Sequence, residues 1–168
     1  MTTMTNMFSR RGALVLALAL LSAACAKSPS ELDSQLAGGA GGAGAATPGS
    51  AQDFVVNVGD RVFFDTDSSS LNTEAQNILG RQAQWLSLYP RYTVTIEGHA
   101  DERGTREYNL ALGARRAKAA VDFLVARGVT STRIKSISYG KERPVALCDA
   151  DSCWAQNRRA VTVLNTGS

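Results

Sequence analysis

The chain has 168 residues, 44% of them hydrophobic and 20% charged, with 18 Lys+Arg against 15 Asp+Glu for a formal net charge of +3. That mixture argues against a wholly disordered chain, and the length suits one domain of common size. The weak charge argues against nucleic-acid binding without a concentrated basic patch, and three cysteines with one histidine leave few ligands for a metal.

Residues 1–11 carry no acid and end in Arg10 and Arg11, and residues 13–21 (ALVLALALL) form an unbroken apolar run. That run is too short to span a bilayer, which needs about 20 residues. A basic start, a short apolar run and a small-residue exit at Ala23 and Ala24 are the parts of a secretory signal peptide, expected over residues 1–24. Residues 21–25 (LSAAC) resemble the lipobox of bacterial lipoproteins, whose cysteine is diacylated and becomes the new N-terminus. Ser22 stands where that motif usually has Leu, and Leu21 lies one step earlier. Lipidation of Cys25 is expected, and the alternative is ordinary cleavage beside an incidental cysteine. Two or more acyl chains give stable anchoring, at about 0.8 kcal/mol per buried methylene. Ala26, rather than Asp, follows the cysteine, which by resemblance to lipoprotein sorting rules implies the outer membrane. Cleavage would remove two arginines and no acid, leaving 16 basic against 15 acidic residues and a charge of +1.

Residues 37–50 (AGGAGGAGAATPGS) are nearly all Gly and Ala, a composition that builds no core, so residues 25–53 read as a lipidated cysteine followed by a flexible tether. A folded domain is expected over residues 54–164, with a short tail at 165–168. Residues 54–58 and 61–64 are β-rich runs separated by the turn pair Gly59 and Asp60. Asn72 opens a helix whose stripe is Ala75, Ile78, Leu79, Gln82 and Leu86, and Pro90 stops it. Residues 92–96 (YTVTI) alternate as a strand. A second helix is expected from about Thr105 to Arg127, burying Leu110, Ala114, Ala117, Val121 and Leu124, with Gly128 ending it. Residues 134–139 and 160–164 read as two further strands. Strands alternating with helices indicate an α/β sandwich of the α+β kind, with two main helices packed on one face of a mixed sheet.

Polar residues crowd the junction between the strand at 92–96 and the second helix, where sheet-and-helix domains place ligands. Three readings compete there. Glu97, His99 and Asp101 alternate and could support acid–base or metal chemistry, but Gly98 and Ala100 interrupt the run and no second His exists. Asp101, Glu102 and Arg103 could simply cap the helix. The third reading is ligand binding: Asp101 takes an ammonium while one of the adjacent Arg115 and Arg116 forks onto a carboxylate, so that the pair holds a zwitterion. Solvated arginines are the alternative to that third reading.

Residues 98–109 (GHADERGTREYN), with Leu112 and residues 114–117 (ARRA), resemble the signature of OmpA-like peptidoglycan-binding domains. The resemblance extends to residues 62–65 (VFFD), 138–144 (SYGKERP) and 157–161 (NRRAV), in that order over about two-thirds of the chain. It implies a non-enzymatic domain without metal or cofactor, whose ligand is the diaminopimelate residue of the peptidoglycan stem peptide. The family's key acid falls on Asp101 and its key arginine on Arg116, with Phe64 and Asp65 bordering the pocket and Asn109 and Leu112 shaping it. It further implies TolB and the Tol complex as partners that compete with the wall. Arg106 departs from the family, where many relatives carry Pro, a compatible first-turn exchange. Cys148 and Cys153 lie just before the last matching block, where many members have no cysteine. A disulfide is favoured in an oxidising periplasm, with free thiols as the alternative.

Overall fold

The computed structural model describes residues 46–166. The expected signal peptide, lipidated Cys25 and most of the tether lie outside the described residues. Four strands, β1 (Arg61–Phe63), β2 (Tyr92–His99), β3 (Ile134–Gly140) and β4 (Arg159–Thr166), form one sheet in the order β1-β4-β2-β3. β4 runs antiparallel to both β1 and β2, and β2 pairs in parallel with β3. The sheet is therefore mixed, as the alternation of elements implies. β4 reaches beyond the expected end at residue 164, with Asn165 opposite Thr93 and Thr166 opposite Tyr92.

Helix α1 comprises Ala51–Asp53 and continues as a wider π-type stretch over Phe54–Gly59. This corrects two expectations, a strand at residues 54–58 and a tether running to residue 53. Ser50 caps the helix by accepting the Asp53 amide at 3.0 Å, and Asp53 receives the Trp85 indole N–H at 2.8 Å. Phe54 is buried edge-on against Trp85 at 4.9 Å, while Val55 and Val56 are 50% and 59% exposed. One apolar contact per turn suits a helix, and tertiary packing overrides the β-propensity of the valines. Upstream, the Gly49 carbonyl accepts from Arg91 and the Tyr92 hydroxyl at 2.8 and 2.9 Å, so the fold begins before Ser50.

Helices α2 (Thr73–Leu88) and α3 (Arg106–Ala126) pack on one sheet face, joining Val62, Val94, Ile96 and Ala160 in a single core with Leu79, Leu86, Ala117 and Leu124. Asn72 caps α2 by accepting the Ala75 amide at 2.9 Å. The polar member of its stripe, Gln82, is buried and satisfied: it donates to the Gly59 carbonyl at 2.7 Å and accepts from the Thr162 hydroxyl at 2.7 Å. α3 buries a face offset from the expected one, namely Asn109, Leu112, Gly113, Arg116, Ala117, Ala120 and Leu124. Leu110 and Ala114 point outward. A face carrying Asn, Gly and Arg has little apolar periodicity, so the hydrophobic pattern misplaces it by about one residue. A short helix absent from the sequence reading, α4 (Asp151–Asn157), precedes β4.

Candidate ligand-binding site

The junction between β2 and α3 is fixed by a close backbone approach. A Cβ on Gly98 would overlap the Gly113 carbonyl, and one on Gly113 would overlap the Ser138 hydroxyl, so glycine is required where helix meets sheet. Beyond β2, the Ala100 amide donates to the Gly140 carbonyl at 2.8 Å, and Thr105 caps α3 by accepting the Tyr108 amide at 3.2 Å. Asp101 is thereby held between strand and helix, only 8% exposed. Its Oδ1 accepts from the Arg103 amide and Nε at 3.2 and 3.3 Å, and its Oδ2 from Arg103 Nη2 at 2.8 Å and Arg158 Nη1 at 3.5 Å. Burial pushes its carboxyl up, but hydrogen bonds and charge from Arg103, with Arg158, outweigh that and hold it below the usual carboxylate value.

Of the two adjacent arginines, Arg115 is exposed and Arg116 faces the junction. Arg116 is 0% exposed. Its Nε, Nη1 and Nη2 donate to the carbonyls of Ser68, His99 and Asp65 at 2.8, 2.8 and 3.2 Å, and its guanidinium lies 5.2 Å from the Phe64 ring centre. Burial lowers its pKa to about 10, which still leaves it charged at neutral pH. Three of its five N–H donors are thus committed to backbone, binding the loop after β1 to the end of β2.

A cleft of about 270 Å³ opens here, walled by Asp67, Asp101, Arg103, Tyr108, Asn109 and Leu112. Asn109 is buried and donates to the Arg103 carbonyl at 2.6 Å, shaping the wall beneath Asp101. Three of the six residues singled out from sequence, Asp101, Asn109 and Leu112, therefore line one cleft. Phe64 is buried under Arg116, and Asp65 contributes its carbonyl to Arg116 while its side chain is exposed. Both line a neighbouring hollow of about 340 Å³ with Phe63 and Arg158. Sequence reading missed Asp67 and Tyr108. The Tyr108 hydroxyl donates to the Asp67 carboxylate, which raises the tyrosine pKa. Asp67 has φ 55°, a left-handed conformation that Asp tolerates, but nothing in the polar run around it marks that residue in advance.

His99 is buried against Tyr139, and neither ring nitrogen has a hydrogen-bond partner. Its Nε2 lies 3.6 Å from a Glu97 carboxylate oxygen. Burial, then the charges of Arg159 and Arg143, lowers its pKa to about 4, so the ring is neutral at neutral pH. Among the described residues no cluster of three or more His, Cys, Asp or Glu could hold a metal ion. Cys148 and Cys153 are joined as a disulfide with Cα atoms 5.7 Å apart, at the start of α4.

Residues 63–159 match the model of the OmpA family. The chain is 66% identical over 153 residues to the peptidoglycan-associated lipoprotein of Mesorhizobium japonicum, covering 91% of this chain and 89% of that protein. Identity to the protein of the same name from Brucella melitensis is 73% over 124 residues, 74% of each chain. Among solved structures, the crystal structure of the peptidoglycan-associated lipoprotein from Burkholderia pseudomallei superposes with a TM-score of 0.62 at 45% identity, over 63% of this chain and 90% of that one. The C-terminal domain of Helicobacter pylori MotB superposes at 0.60 with 23% identity, over 65% of this chain and 86% of that one, a likeness of fold alone. With the OmpA signature folded around the Asp101 cleft and most of its length shared with these relatives, the chain belongs to the OmpA family, among its peptidoglycan-associated lipoproteins.

Proposed function

We propose that this chain is an outer-membrane lipoprotein, anchored through Cys25, whose periplasmic domain ties the membrane to the cell wall by gripping diaminopimelate-containing stem peptides. The free end of diaminopimelate carries an ammonium and a carboxylate. In this reading the ammonium goes to Asp101, with Asp67 as a second acid on the same cleft. The carboxylate goes to Arg116, which is fully buried and outside the lining of the cleft, once the loop carrying the Asp65 and Ser68 carbonyls moves aside to free its N–H groups. The observation that carries the reading is the convergence of a buried, ionised Asp101 and a buried, charged Arg116 on one strand–helix junction. No helix among the described residues is long and apolar enough to cross a membrane, and a lipid anchor is consistent with that. The cleft serves binding rather than catalysis. Its partners are the wall and, through TolB, the Tol complex, in which the protein supports envelope integrity and outer-membrane invagination at division.

Each charge-assisted hydrogen bond is worth about 1.5–3 kcal/mol net, or roughly tenfold or more in affinity. Calorimetric titration of the full-length protein with a diaminopimelate tripeptide is expected to show binding that Asp101→Asn weakens at least that much. Equal affinity in the variant would remove Asp101 from the site. A second reading, a module that mainly recruits protein partners, predicts TolB capture without retention on isolated walls.

A further inference from the structure

We propose that the disulfide-closed helix α4 is the positioning arm of this cleft, acting on Asp101 through Trp154. The inference rests on the cleft being the stem-peptide site. α4 has seven residues and no side-chain cap at Ala150, too little to hold itself in water. Two ties fix it instead. The Cys148–Cys153 bond closes its first turn, and Asn157 clamps its end, accepting from the Val145 and Ala146 amides at 2.8 and 3.2 Å and donating to the Ala146 carbonyl at 2.9 Å.

So held, α4 reaches both residues that follow Asp101. The Trp154 indole N–H donates to Glu102 at 2.8 Å, and the Arg103 guanidinium sits 4.3 Å from the centre of the Trp154 ring. Arg103 is the main partner of Asp101, yet its side chain is 42% exposed and would otherwise sample solvent. Asp151, also on α4, accepts from Arg158 at 3.2 Å, closer than the 3.5 Å from Arg158 to Asp101. α4 therefore sets the aim of the Asp101 carboxylate through Arg103 and leaves one edge of Oδ2 weakly held, where an ammonium can enter. Fixing these groups before the ligand arrives lowers the ordering cost of binding.

The charged groups facing Asp101 are Arg103 from the junction, Arg158 from the end of α4 and Arg116 from α3, with Asp67 from the loop after β1 across the same cleft; Asp151 and Glu102 face the arginines. Losing Trp154 weakens the hold of Arg103, so the carboxyl protonates at higher pH and binding fails earlier on acidification.

The test is calorimetric titration of the full-length protein in detergent with N-acetylmuramyl-L-alanyl-γ-D-glutamyl-meso-diaminopimelate between pH 3 and 7. The variants are Trp154→Ala, Trp154→Phe, the pair Cys148→Ser with Cys153→Ser, and Asp101→Asn. Trp154→Ala and the serine pair are each expected to weaken binding about threefold to tenfold. Combining them should add little, because both act through one contact, and the acid midpoint should move up toward the ordinary Asp value of about 3.9. Trp154→Phe, which keeps the ring under Arg103, should retain most of the affinity even if the serine pair melts early. Wild-type affinity and an unmoved pH profile in Trp154→Ala would overturn the proposal, as would weakening without a pH shift or without rescue by Phe. Absence of binding by the wild type would overturn the underlying site reading, and this proposal with it.

Discussion

Asp101 is buried among cations rather than among apolar groups, and that decides its charge. Desolvation alone would favour the neutral acid, but Arg103 and Arg158 reverse the sign. Because its carboxyl titrates below the usual value, ligand binding should hold from neutrality down to about pH 4 and fall only below it, as pH-dependent titration can check. Arg116 has a structural role besides any ligand, since three backbone carbonyls depend on it. Arg116→Ala is therefore expected to cost at least about 3 kcal/mol of stability in urea denaturation, as stranded carbonyls and a cavity add to the lost bonds. Asp101→Asn is the cleaner probe of binding. His99 adds a pH dependence of its own. Its pKa is depressed to about 4 in the fold against about 6.5 unfolded, so its contribution is fully present above 6.5 and is lost as pH falls through 4. Thermal melts should show His99→Phe losing less stability than wild type between these limits, by at most about 3 kcal/mol. Asp101 and Arg116 could be picked out from sequence because they stand in a dense motif. Asp67 and Trp154 could not, since their contacts, with Tyr108 and with Glu102 and Arg103, arise only where distant segments meet.

Among the elements, the first helix and α3 show what sequence pattern resolves. The cap of α2 was legible in Asn72, which accepts the amide three residues on, but at α3 the cap is Thr105, accepting the Tyr108 amide, and not the run Asp101, Glu102 and Arg103 that the sequence offers for it. Strands β2, β3 and β4 follow alternation and β-branched content. α1 escaped because Val55, Val56 and Val58 read as strand, while the decisive partner, Trp85, lies 31 residues beyond Phe54. The buried face of α3 escaped because it is not apolar throughout: Asn109, Gly113 and Arg116 point inward where an ordinary helix would put Leu. Gly98 sits at the centre of this arrangement. Gly98→Ala must push α3 away from β2, and a loss of about 2–4 kcal/mol in denaturant unfolding is expected, with weaker ligand binding because Asp101 and Arg116 ride on the two elements being separated.

At the scale of the whole molecule, a four-stranded mixed sheet with α2 and α3 on one face is a compact platform with its cleft at one strand end. The opposite sheet face carries Phe63, Ile137 and Val163, each partly exposed. Membership of the family accounts for the platform. The chemistry of the cleft supplies the proposed role, that of a domain which recognises a zwitterionic amino-acid end and is joined by a Gly/Ala-rich segment to a lipid-bearing cysteine. The formal net charge of +3 says little about that role, because Arg10 and Arg11 stand in the segment expected to be an export signal and the other charges matter through placement. The most direct test is co-sedimentation of the full-length protein and its Asp101→Asn variant with isolated walls of the diaminopimelate type and of the lysine type, the latter lacking the side-chain carboxylate. Strong retention of the wild type on diaminopimelate walls alone, lost in Asp101→Asn, is the result expected. Equal retention on both walls, or by both proteins, would contradict it.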